Sequence, residues 1–157
     1  MVDRVPMTTR GHARLREELK RLKEDVRHQL AQEIGKAREL GDISENAEYH
    51  AAKEKQGQVE AQIRDMEDRL SRAEVVEVSK LSGSRVLFGA TVTVEDESGE
   101  KIVYQIVGAE ESDPKAGKIS YESPVARGLI GKAEGDTAKI QTPRGLKELE
   151  ILKVEFI

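Results

Sequence analysis

The chain has no cysteine and no tryptophan, and its only aromatics are three Tyr and two Phe. Without cysteine there is no disulfide, no thiolate zinc site and no cysteine nucleophile. With aromatics at 3% and charged residues at 36%, a single large core is not expected. High charge fits solvated helices instead. No apolar run approaches membrane-spanning length, and Met1-Val2-Asp3-Arg4-Val5-Pro6 has no signal-type apolar segment, so a soluble cytoplasmic protein is expected. An excess of one charge is missing too. Lys and Arg number 26 against 30 Asp and Glu, a net of −4, and the signs are mixed in both halves. A free-standing grip on duplex nucleic acid is therefore disfavoured. His12, His28 and His50 are scattered, which leaves no nucleophilic triad.

What the sequence does have is a mirrored pattern. Leu15, Leu19, Leu22, Val26, Leu30, Ile34 and Ala37 step by threes and fours, and so do Ala52, Gln56, Val59, Ile63, Met66, Leu70 and Ala73. This is the spacing of a helical seam. Paired outside-in, from Leu15 with Ala73 to Ala37 with Ala52, the partners' numbers add to a nearly constant total. That is the arithmetic of two antiparallel helices folded back near residues 44 and 45, with Gln56 the weak rung. The expectation is an antiparallel coiled-coil hairpin over residues 1–78, with an acidic tip at 41–46. Arms of about thirty residues at ~1.5 Å rise would span roughly 45 Å.

Thr8 or Thr9 suits an N-cap, and the first helix is expected from about Arg10 to Leu40. Glu17–Arg21 and Glu24–Arg27 are candidate surface ion pairs, and Gly41 is a C-terminal stop. The second helix is expected from about Glu45 to Val75. Gly35 and Gly57, within about one turn of each other on opposite arms, suggest a local bend or a close approach of the arms near the tip. After Val76, helical period gives way to short β-type runs punctuated by Gly, Pro, Ser and Asp. Residues 79–157 are expected to form a small antiparallel α+β domain. Its elements would be a strand at 86–94 with a possible bulge at Gly89, a hairpin turn at 95–100, and a return strand at 101–107. A short strand at 119–121, a helical turn capped by Ser123 with Pro124 first, and a hairpin across 142–145 would complete it.

At the tip, Asp42 and Glu45 stand three apart at a helix start. From the residues alone they fit a capping box first; the sharper reading is a pair of exposed carboxylates that share a hard divalent cation such as Mg²⁺ with an outside site. Two carboxylates alone do not fill the six positions of that ion.

The stretch Gly41-Asp42-Ile43-Ser44-Glu45-Asn46-Ala47-Glu48-Tyr49-His50-Ala51-Ala52-Lys53-Glu54 closely resembles the tip signature of the bacterial Gre transcript cleavage factors. Ser123-Pro124-Val125-Ala126-Arg127-Gly128-Leu129-Ile130-Gly131-Lys132 is similar to that family's C-terminal signature, and Pro6-Met7-Thr8-Thr9-Arg10-Gly11 to its opening. The likeness spans essentially the whole chain, nearer the GreA than the GreB type. It implies an FKBP-like C-terminal domain that docks on bacterial RNA polymerase, and a coiled coil that enters the secondary channel past its rim. Asp42 and Glu45 would then be the catalytic and metal-holding tip carboxylates, acting only in complex with polymerase. The polymerase, not this chain, would hydrolyse the nascent RNA near its 3′ end in a backtracked complex, rescuing arrested transcription. The cofactor implied is Mg²⁺ shared with the polymerase active centre, with none tightly bound to the free protein. No membrane and no small-molecule substrate is implied. Asn46, Tyr49 and His50 would support the tip. Arg38, Lys53 and Lys55 would contact RNA, unless they are plain helix-surface charges. Glu122, Ser123 and Pro124 would dock on polymerase, a role compatible with a simple helix cap.

Some paralogues in this family carry more acidic tips and inhibit polymerase; Ile43-Ser44 between the two carboxylates favours cleavage stimulation over a channel plug. A prolyl isomerase is the remaining alternative, raised by the FKBP-like fold alone. It needs an aromatic-lined pocket, and residues 80–157 offer only Phe88, Tyr104, Tyr121 and Phe156.

Overall fold

The computed structural model describes residues 4–42 and 46–157. The chain forms two compact units, a helical one of residues 12–72 and a sheet unit of residues 4–11 together with 73–157.

The helical unit is a hairpin. Helix α1 (Thr9–Arg21) runs through a π-helical stretch at Leu22–Val26 into α2 (Arg27–Arg38), and α3 (Ala47–Arg72) returns. Lys23 meets Glu67, Arg27 meets Glu60, and Ala37 meets Asn46. One number falls as the other rises, as the mirrored pattern requires. Leu22, Leu30, Val59 and Ile63 are buried together, with Leu19, Val26 and Met66 packed against them. Ile34, Ala37 and Ala52 continue the buried seam toward the closed end.

Three local expectations are corrected. Arg21 pairs with Glu18 rather than Glu17 (2.6 Å), and Arg27 crosses to Glu60 on the other arm rather than to Glu24 (2.8 Å). An inter-arm carboxylate within reach competes directly with one a turn away on the same helix. A Cβ built at Gly35 or Gly57 meets nothing within 4 Å, so the arms make no close approach there. The irregularity sits instead in the π stretch at Leu22–Val26.

The second helix ends at Arg72, not Val75, because Ala73–Val76 forms strand β2, paired in parallel with β1 (Val5–Thr8). The expected seam residue Ala73 thus belongs to that strand. The other strands are β3 (Thr91–Glu95), β4 (Lys101–Val107), β5 (Lys118–Ser120), β6 (Thr137–Thr142) and β7 (Gly145–Glu155). They form one sheet in the order β5-β4-β3-β7-β6. This sheet is mixed rather than antiparallel, because β4 and β5 run parallel. The expected strand at 86–94 begins only at Thr91. Gly89 lies in a turn at φ 89°, and the register shift falls between Thr93 and Val94 against β7. Alternation puts Val92 and Val94 of β3 and Ala138 and Ile140 of β6 on one face. There they pack with Leu149 and Ile151 of β7 and with Ala126 and Leu129 of helix α4 (Pro124–Leu129).

The start of α1 shows why Gly11 is glycine. Thr8 caps the helix, its Oγ1 accepting the Gly11 N–H at 3.1 Å. The Glu111 carboxylate accepts in turn from the Thr8 N–H (3.1 Å), the Gly108 N–H (3.0 Å) and the Thr8 hydroxyl. A Cβ on Gly11 would clash with the Glu111 carboxylate.

Candidate functional site

The closed end of the hairpin is built from the last turn of α2 and the first turn of α3. Helix α2 winds down through bonds from Leu40 N–H to Ala37 C=O and from Gly41 N–H to Arg38 C=O, and Gly41 turns the chain at φ 121°, a conformation that glycine adopts without steric cost. Asp42 follows and is exposed, as are Leu40 and Gly41. The other tip carboxylate, Glu45, lies outside the described residues, so the expected Asp42–Glu45 capping box lies outside them too.

The cap of α3 is Asn46. Its Oδ1 accepts the Tyr49 N–H at 3.0 Å, and its backbone C=O accepts the His50 N–H at 3.1 Å. Asn is among the strongest N-cap residues, and Glu48 in the first turn suits the positive end of the helix dipole. The expected start near Glu45 shifts to Ala47 accordingly. The Asn46 Nδ2 also donates to the Ala37 C=O on the opposite arm.

A second link crosses beside it, with the Arg38 guanidinium 5.7 Å from the Tyr49 ring centroid, within cation–π range. The His50 ring meets Tyr49 edge-on at 5.6 Å. The structure therefore brings together Arg38, Asn46, Tyr49 and His50. It does not gather the lysines. Lys53 and Lys55 are exposed and two residues apart on α3, so they point to opposite sides of the helix. Lys53 donates to Gln56 Oε1 at 3.1 Å. Sequence reasoning missed the cross-arm roles of Asn46 and Tyr49. Asn46 was findable as a cap, but its reach to Ala37 depends on how the arms close.

Among the described residues no group of three or more His, Asp or Glu side chains could hold a metal ion. Asp42 offers hard carboxylate oxygen, the donor type Mg²⁺ prefers, at an exposed position. That fits one place in a shell completed by other groups.

In the sheet unit, Glu122 and Pro124 are exposed and Ser123 half-buried. The Ser123 Oγ accepts the Ala126 N–H at 3.2 Å, capping α4, and the Glu122 N–H donates to the Ser120 Oγ at 3.1 Å. Neighbouring Tyr121 packs edge-on against Phe88 at 5.9 Å. Burial, reinforced by the Glu122 carboxylate, pushes its hydroxyl above the ordinary tyrosine value. Phe88, Tyr104, Tyr121 and Phe156 all pack against the core. A groove of about 600 Å³ between the turns near Ser98 and Pro143 has none of them in its lining.

The description "Transcription elongation factor, N-terminal" belongs to the family model matching residues 5–75, and "Transcription elongation factor, GreA/GreB, C-term" to the one matching residues 81–156. The chain is 54% identical to transcription elongation factor GreA of Phenylobacterium zucineum, over 99% of this chain and 100% of the relative. Against the GreA of Vibrio parahaemolyticus the identity is 56%, with the same coverages. Among solved structures, GreA factor homolog 1 of Thermus thermophilus is 31% identical over 97% of this chain and 99% of that one, at a TM-score of 0.44. The two family models and the full-length relatives put this chain, with its helical hairpin region and sheet domain, in the transcription elongation class. The chain belongs to the GreA/GreB family of transcription elongation factors.

Proposed function

We propose that this protein is an accessory factor of bacterial RNA polymerase. Its hairpin, read as a coiled coil, enters the secondary channel and stimulates the polymerase's own cleavage of backtracked nascent RNA. The observation that carries the reading is the exposed carboxylate of Asp42 at the closed end of a helical hairpin, in a chain whose whole length matches transcription elongation factors. Asp42 and Glu45 would be the residues that hold the shared Mg²⁺. When bound, that ion polarises the phosphodiester and lowers the pKa of attacking water. Carboxylate oxygens are the hard donors that Mg²⁺ prefers, and groups presented in a preorganised arrangement need no reorganisation at the moment of reaction. Arg38 contributes a cation near the RNA while its guanidinium rests on Tyr49. Lys53 and Lys55, on opposite sides of α3, would not both face one strand, so at most one is an RNA contact. The sheet unit, read as FKBP-like, docks on the polymerase through the exposed Glu122–Pro124 turn. Its aromatics are spent on the core, which argues against isomerase activity.

The test is a stalled, backtracked elongation complex supplied with Mg²⁺. The intact protein is expected to release shortened 3′ RNA fragments. Asp42→Asn and Glu45→Gln should lower the cleavage rate on the order of 10–100-fold, the scale of losing a metal-orienting group, without loss of polymerase binding. Inhibition of transcription with no cleavage would make the protein a channel plug instead.

A further inference from the structure

The tip carboxylate needs a fixed address, and one side chain ties down the segment that carries it. Asn46 makes two bonds with one carboxamide: Oδ1 accepts from Tyr49 N–H at the first turn of α3, and Nδ2 donates to Ala37 C=O in the last turn of α2. The Ala37 carbonyl also accepts from Leu40 N–H at 3.2 Å, so the Asn46 bond joins the winding-down of α2. Asn46 is half-buried and Ala37 buried, a setting in which such bonds are less open to exchange with water. Asp42 lies in the nine-residue separation that these bonds close.

We propose that Asn46 is the positioning residue of the tip. Its carboxamide clamps the end of α2 to the start of α3, and the clamp holds the backbone at Asp42 in the geometry that presents its carboxylate to the shared Mg²⁺. This rests on the functional reading above. The chemistry is specific to the amide. Serine caps a helix about as well as asparagine, but its hydroxyl is too short to cap Tyr49 and reach the other arm together. Aspartate also caps as well, yet it has no hydrogen to donate and sets a carboxylate against the Ala37 carbonyl oxygen. Neither replacement costs α3 its cap; both break the clamp.

Asn46→Ser and Asn46→Asp are compared with the parent protein in two measurements. In the free full-length protein, ¹⁵N relaxation should show lower order parameters for the Gly41 and Asp42 amides in both variants, with those in the middle of α3 unchanged. In the backtracked-complex assay, both variants should need about tenfold more Mg²⁺ for half-maximal cleavage, the scale of losing an outer-shell partner of a metal ligand. Polymerase affinity should be unchanged. The aspartate variant sharpens the point. An added carboxylate would by charge alone lower the Mg²⁺ requirement, so a rise can come only from lost positioning. Order parameters and Mg²⁺ dependence equal to the parent's in both variants would overturn the proposal, as would equal losses at all Mg²⁺ concentrations. Asp42→Asn is the control: if it cleaves like the parent, the functional reading fails, and the relaxation data still decide whether Asn46 is a clamp.

Discussion

In the sheet unit, Leu149 is enclosed on every side: strands β3 and β6 flank β7, and Ala126 and Leu129 of α4 share the same fully buried cluster. In the hairpin, Leu30 is also buried at 2% exposure, but among the described residues its buried cluster is Leu22, Val59 and Ile63, with Leu19, Val26 and Met66 partly buried against it. One unit surrounds its core and the other zips a seam, leaving most of each helix to charged side chains. A two-helix seam can relax around a lost side chain by drawing the helices together, whereas a sheet with a helix over it cannot. Leu149→Ala should therefore fall near the top of the ~2–5 kcal/mol range for truncating a buried leucine, and Leu30→Ala near the bottom. Amide hydrogen exchange of β7 and of α2 reads the two losses separately in one protein. Equal losses would mean that the seam is as rigid as the sheet core.

Gly11 tests the same contrast inside the sheet unit, where Glu111 holds Thr8 and Gly108. Glycine to alanine inside a helix ordinarily stabilises by up to ~1 kcal/mol. Here the new Cβ would meet Glu111, a side chain long enough to swing aside only by abandoning Thr8 and Gly108. Leaving those donors without their partner costs about 1–3 kcal/mol. Gly11→Ala should therefore destabilise by about 1–2 kcal/mol, and in a Glu111→Ala background its penalty should vanish. A double-mutant cycle by chemical denaturation measures this coupling, and additive losses would show that Glu111 is not the cause.

These contacts also mark what could be read from residue order alone. The seam was legible because each arm repeats its pattern locally, and hairpin turns at 95–100 and 142–145 announced themselves through Asp96, Gly99 and Pro143-Arg144-Gly145. Asp42 stood out for the same reason, as part of one contiguous stretch. Pairings between distant residues that no repeated pattern announces were not legible. Nothing near Val5 signals that it will lie beside Ala73, nothing in Lys118–Ser120 signals a parallel neighbour, and Thr8 and Glu111 stand 103 positions apart. The parallel β1–β2 pair is what ended α3 three residues early. Asn46 was read only as a supporting tip residue; its cap went unread, and its clamp could not be read locally because the second partner belongs to the other arm.

Gly35 and Gly57 run the other way from Gly11. Both are exposed, with open space where a Cβ would go, so nothing offsets the entropy that alanine removes from the unfolded chain. Each Gly→Ala change should stabilise the hairpin by ~0.5–1 kcal/mol, seen as a higher thermal midpoint of the helical circular dichroism signal. If cleavage stimulation then falls while stability rises, flexibility of the arms is part of the activity.

The smallest expected effect comes from the ion pair joining the arms. Arg27 grips Glu60 through two nitrogens, at 2.8 and 2.9 Å, and that hydrogen bonding holds the Glu60 carboxyl below its ordinary value. The folded protein thus binds the Glu60 proton less readily than the unfolded chain does. The contribution is present above the unfolded carboxylate value, about 4.3, and is lost as pH falls through the lower folded value. Both side chains are well solvated, so the benefit should be slight at neutral pH and screened away in about 1 M salt, where the Debye length is ~3 Å. Glu60→Gln should lower the hairpin's midpoint slightly at pH 7 and low salt, and the gap should close both in high salt and below the carboxylate range. A gap that survives high salt would mean that Arg27 and Glu60 act through packing of their stems along the seam. The hairpin would then be less unlike the sheet unit than its exposed faces suggest.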